Sequence, residues 1–120
     1  MGFFKRFFGL EQGPGEPRPL SDESFEFEVL QNKLPSVVDF YSLMCSPCQV
    51  MSGLLNEIGP DYMGKVNFFR LDVTKNPYTA SRYNVSSVPT VIAYKNGKEA
   101  SRFVGLMPID ELRDWIDEIQ

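Results

Sequence analysis

The chain has 120 residues, enough for one domain around one core. Apolar residues at 42% and charged residues at 23% are ordinary for a soluble globular protein. A net charge of −4 argues against a nucleic-acid-binding surface, which needs clustered Lys and Arg, and no apolar run approaches the roughly 20 residues of a membrane-spanning helix.

Residues 1–19 read as an arm and a linker outside the core. Phe3, Phe4, Phe7 and Phe8 recur at helical spacing around Lys5 and Arg6. Gly13-Pro14-Gly15-Glu16-Pro17-Arg18-Pro19 is a run of breakers, as in an extended linker. The arm has three open readings: a loose tail, peripheral contact with a membrane surface, or docking onto a partner or onto this chain's own domain. Gly2 is a poor myristoylation site because position 6 is Arg rather than Ser or Thr. The Phe run is broken by charge and no apolar stretch follows it, so it lacks the form of a secretion signal and a cytoplasmic location is expected.

A single domain is expected over residues 20–120. Ser21-Asp22-Glu23-Ser24 supplies capping residues for a short amphipathic helix carrying Phe25, Val29 and Leu30. Ser36 to Tyr41 is apolar at consecutive positions, the pattern of a central strand covered on both faces. A helix from Cys48 to about Met63 would bury Val50, Met51, Leu54, Leu55 and Ile58. Val66 to Asp72 reads as a strand and Pro77 to Tyr83 as a short helix. Thr90 to Tyr94 and Ala100 to Val104 read as strands joined through Asn96-Gly97, a strong hairpin signal. Pro108 opens a last helix with Ile109, Leu112, Trp115, Ile116 and Ile119 toward the core. This order predicts an α/β fold, a mixed sheet with helices on both faces.

The chemistry centres on Cys45-Ser46-Pro47-Cys48, placed where the first long strand runs into a helix. The chain has two cysteines and no histidine, so its thiol chemistry runs through this pair. A pair three residues apart closes too short a loop to add much stability, which favours a working dithiol over a structural staple. Half of a zinc site is the competing use of such a motif. Zinc usually takes four N or S ligands, and the chain offers two. At the first turn of a helix, unpaired N–H groups and the helix dipole stabilise a thiolate, which marks Cys45 as the nucleophile. Cys48 shares its helical face and is placed to resolve a mixed disulfide formed on Cys45. Asp39, in an otherwise apolar strand, should have its pKa raised by burial, with Arg70 as an offsetting charge; the alternative is an aspartate at a strand position that sees solvent or Arg70.

From about Leu20 to Gln120 the chain resembles the thioredoxin family. The residues that carry the resemblance are Val38-Asp39-Phe40, Cys45-Ser46-Pro47-Cys48, Leu71-Asp72-Val73, Asn76-Pro77, Val88-Pro89-Thr90, Lys95-Asn96-Gly97 and Val104-Gly105. Met44 replaces the Trp that usually precedes the motif, Tyr41 stands where many members carry another Trp, Arg70 where Lys is common, and Gly53 where a proline kinks the helix. The resemblance implies a thioredoxin fold of four to five strands, its first edge strand very short or missing in the Pro/Gly-rich stretch. It gives Asp39 the role of proton acceptor for Cys48, and it makes Pro89 a cis proline against the cysteine pair. Met44, Val73, Val88, Val104, Gly105 and Leu106 would then rim a shallow apolar groove for an extended peptide.

The expectation is a monomeric thiol–disulfide oxidoreductase that reduces or exchanges protein disulfides. The family implies electrons from a thioredoxin-reductase-type flavoprotein, with no cofactor or metal of its own. The alternative is a thioredoxin-fold adaptor or holdase tethered by its Phe-rich arm, with little turnover.

Overall fold

The structure is a computed structural model that describes residues 13–120. The arm residues Phe3, Phe4, Phe7 and Phe8 lie outside the described residues. Five strands form one mixed sheet: β1 (Arg18–Leu20), β2 (Ser36–Tyr41), β3 (Asn67–Asp72), β4 (Thr90–Lys95) and β5 (Lys98–Val104), in the order β1-β3-β2-β4-β5. β1, β3 and β2 run parallel, whereas β4 and β5 are antiparallel to their neighbours. The helices are α1 (Glu26–Leu30, wound as a π-helix), α2 (Ser46–Ile58, continued by a 3-10 turn over Gly59–Tyr62), α3 (Pro77–Arg82) and α4 (Ile109–Ile119).

The first edge strand is very short, as expected. It pairs Arg18, Pro19 and Leu20 with Phe69, Arg70 and Leu71. The expected boundary at residue 20 therefore falls inside β1. An edge strand tolerates proline because one side of it needs no ladder partner. The breaker run before β1 is packed rather than free: Gly15 takes φ +79°, and a Cβ there would stand 2.6 Å from the Gly59 carbonyl carbon.

Alternation along the strands divides the core into two layers. Val37, Phe68, Val91 and Ala93 meet Met51, Leu55 and Ile58 of α2 and Leu112, Ile116 and Ile119 of α4. On the other face, Val38, Phe40, Phe69, Leu71, Ile92 and Tyr94 meet Leu20, Phe25 and Val29. β2 sits between the layers, which is why it is apolar at consecutive positions. Asn96 and Gly97 turn the β4–β5 hairpin at φ 55° and 79°, both in the left-handed region that this dipeptide tolerates. Val50 does not join the core as expected and stays half exposed. Cys48, Met51, Leu55 and Ile58 already complete the buried stripe, and Val50 points about 200° around the helix from Cys48.

Candidate active site

β2 delivers the chain to the site. After Tyr41 a short turn leads to Cys45, whose extended backbone makes it the residue that caps α2. The Cys48 N–H donates to Cys45 Sγ at 3.2 Å. Pro47 occupies the first helical turn, where its missing N–H costs no helical hydrogen bond. Cys45 and Cys48 are joined as a disulfide, their Cα atoms 5.2 Å apart. The two sulfurs differ in access: Cys45 is half buried, whereas Cys48 faces the sheet with Met51 and Leu55 and is only 3% exposed.

The loop before β4 approaches from the other side. The Val88–Pro89 peptide bond is cis, and the Val88 carbonyl oxygen lies 3.9 Å from Cys45 Sγ. Pro89 is buried, and its carbonyl accepts the Gly105 N–H at 2.8 Å. That bond holds the end of β5 beside the proline. The structure thus brings together Cys45, Cys48, Val88, Pro89 and Gly105. Met44 is 98% exposed, and Val104 and Leu106 also stand open to solvent. Val73 packs against the second core layer and lines a cleft with Pro77, Ala80 and Val85. A small cleft that sequence reasoning did not find runs beside Cys48, lined by Tyr41, Ser42, Leu43, Gln49 and Ser52. Leu43, exposed and directly before Met44, was the available signal for it.

Asp39 is the charged residue set deepest in β2, at 2% exposure. Its Oδ1 is buried with no hydrogen-bond partner. Burial pushes the carboxyl up to about 7, against the pull of the Arg70 guanidinium. Arg70 is the register neighbour of Asp39 on β3. Its Nη1 donates to the Tyr41 hydroxyl at 3.2 Å, with the guanidinium carbon 6.0 Å from the centre of the Tyr41 ring. Among the described residues, no group of three or more His, Cys, Asp or Glu is placed to hold a metal ion.

The thioredoxin family model matches residues 16–118 of this chain. The chain belongs to the thioredoxin family. It is 39% identical over 98 residues to a thioredoxin of Rickettsia bellii (strain RML369-C), covering 82% of this chain and 93% of the relative. A thioredoxin of Rickettsia conorii (strain ATCC VR-613 / Malish 7) is 37% identical over 97 residues, 81% of this chain and 92% of that one. One from Synechocystis sp. (strain ATCC 27184 / PCC 6803 / Kazusa) is 36% identical over 99 residues, with coverage of 82% and 92%. With the Cys45–Cys48 pair in place, this member of the family is a thiol–disulfide oxidoreductase of the protein-disulfide reductase type. Thioredoxins in general act on disulfide substrates and are reduced by thioredoxin reductase. No helix among the described residues is long and apolar enough to cross a membrane.

Proposed function

We propose that Cys45 is the attacking thiolate, Cys48 the resolving thiol and Asp39 the acceptor of the Cys48 proton. The unequal access of the two sulfurs carries this reading, because an incoming disulfide reaches the half-buried Cys45 before the 3%-exposed Cys48. In the reduced protein the Cys48 N–H and the α2 dipole favour ionised Cys45. Its sulfur attacks one sulfur of the substrate disulfide; that S–S bond breaks and the first substrate thiolate leaves. Cys48 then gives its proton to Asp39 and attacks Cys45. The mixed disulfide breaks, the second substrate thiolate departs, and the pair is left oxidised after giving two electrons to the substrate. A carboxyl that titrates near 7 suits this transfer at neutral pH. The Val88 backbone and the exposed Met44, Val104 and Leu106 support an extended peptide beside Cys45.

Alkylation of the reduced protein tests the assignment. Cys45 should react many-fold faster than Cys48 at neutral pH, and insulin reduction should fall to background in Cys45→Ser. A quicker Cys48, or an unchanged rate in Cys45→Ser, overturns it, and the latter favours the adaptor.

The same reading assigns a flavoprotein reductase as electron donor and a cytoplasmic, monomeric protein. For the Phe-rich arm with Lys5 and Arg6 the proposal is contact with a membrane surface or with a partner. Anionic vesicles should retain the full chain better than a form lacking residues 1–12, and equal retention rejects the membrane contact.

A further inference from the structure

Asp39, Tyr41, Arg70 and Asp72 share one face of the sheet. Asp39 and Tyr41 are two residues apart on β2, and in the parallel ladder they neighbour Arg70 and Asp72 respectively. Arg70 is only part-buried, so water competes for its guanidinium. Asp39 lies beneath, with one oxygen unpartnered. The structure shows the guanidinium bound at its Nη1 to the Tyr41 hydroxyl and lying beside the Tyr41 ring.

We propose that Tyr41 is a positioning residue: its hydroxyl tethers the Arg70 guanidinium on the sheet face beside Asp39 and so sets the pH range in which Asp39 accepts a proton. This rests on the proton-acceptor role given to Asp39 above. The tether matters because a flexible side chain of this length otherwise extends into solvent, where its charge is screened from a buried carboxylate. A planar guanidinium suits it, since one edge holds the phenol oxygen while the charge stays delocalised over the group. Arg70 is always charged and cannot relay the proton, so its influence on Asp39 is a matter of position.

The other groups on this face leave that influence to Arg70. Val91, the β4 neighbour of Asp39, is apolar. α4 turns Leu112, Ile116 and Ile119 inward, and the buried residues of α2 are apolar apart from Cys48, whose sulfur is held in the disulfide and carries no proton. Asp72 is engaged by the Thr74 hydroxyl and N–H.

Nuclear magnetic resonance titration of the ¹³C-labelled Asp39 carboxyl in the oxidised protein tests the tether directly. Tyr41→Phe keeps the ring and removes only the hydroxyl. Its Asp39 midpoint should rise by about half a pH unit, as expected when an opposite charge is withdrawn. Arg70→Gln should raise it at least as much, and the double variant no further than Arg70→Gln alone. An unchanged midpoint in Tyr41→Phe, a fall in it, or an equal rise in the Arg70→Gln background overturns the proposal. The pH profile of mixed-disulfide release, measured on the same variants, separates the two ideas. A midpoint that rises while the profile stays fixed supports the tether and removes Asp39 as proton acceptor.

Discussion

Two buried aspartates on adjacent strands of one sheet face have opposite electrostatics. Asp39, in the middle of β2, leaves one oxygen without a hydrogen-bond partner, and burial lifts its carboxyl to about 7. Asp72, at the end of β3, is only 6% exposed. Burial pushes its carboxyl up as well, but Thr74 donates to Oδ1 from its hydroxyl at 2.6 Å and from its N–H at 3.0 Å. Those bonds, helped by Lys75, hold Asp72 below the usual carboxylate range. Burial alone therefore does not make an acid reactive. The difference lies in whether the fold supplies donors to the ionised form, as it does at the β3–α3 corner and not in the centre of β2.

The widest separation between the two sites should appear in Asp39→Asn. For Asp39 the folded pKa lies above the unfolded value, so between about pH 4 and 7 the native state holds a proton that the unfolded chain has lost. Stability therefore falls as pH rises through this window, and above it the ionised carboxylate costs up to about 4 kcal/mol. Asp39→Asn removes that cost. Urea unfolding of the oxidised protein should show the variant about 2–4 kcal/mol more stable at pH 8, with the gain gone near pH 4. Release of the mixed disulfide should slow at least tenfold, since a general base contributes about 10²–10⁴. A loss of stability in Asp39→Asn at neutral pH that fades in acid would place Asp39 in the same class as Asp72.

Asp72→Ala should act in the opposite direction. It leaves the Thr74 N–H and hydroxyl without their acceptor, at a cost of about 1–3 kcal/mol. The lowered pKa gives the sign: the contribution of Asp72 is present above the unfolded carboxylate range and is lost as acid titrates the folded group. Urea midpoints of the wild type and the variant should therefore converge at low pH, while insulin reduction at neutral pH stays near the wild-type rate. A large loss of activity would tie the corner to the chemistry.

Much of this contrast was legible in the residues. An acid inside Val37-Val38-Asp39-Phe40 marks itself, because its neighbours require burial and it does not. The cysteine pair is equally plain, set between a continuous apolar strand and a helical stripe. Asn96-Gly97 identified its hairpin because few other dipeptides accept two left-handed residues in a row. What escaped was whatever depended on a distant partner. Five apolar residues between positions 50 and 58 allow more than one buried stripe, and only contact with the sheet and α4 leaves Val50 outside. Pro19 reads as a breaker until β3 supplies the strand beside it. Val73 belongs to the site by the family resemblance and to the second core layer by packing. The bond between Tyr41 and Arg70 spans two strands and has no local signature.

Asp22 shows the same limit and sharpens the comparison with a third, more exposed carboxylate. It stands in Ser21-Asp22-Glu23-Ser24, where the sequence suggests a cap for α1. Ser21 and Ser24 instead close the turn before α1, each side chain accepting the other's N–H, and α1 itself carries no side-chain cap. The Asp22 carboxylate reaches across the fold and accepts the N–H groups of Tyr78 and Thr79 at 3.2 and 2.8 Å, at the start of α3. Asn76, the residue before α3, makes no cap with its own side chain. Its Oδ1 takes the Asp22 N–H and its Nδ2 donates to the Asp72 carbonyl, which links both aspartates to one corner. Asp22→Ala should therefore cost about 1 kcal/mol, the usual size of a helix cap. The loss should show as faster amide exchange at Tyr78 and Thr79 rather than along α1. Protection lost first in α1 would return Asp22 to the local role its neighbours suggest and leave the β3–α3 corner held by Asp72 and Asn76.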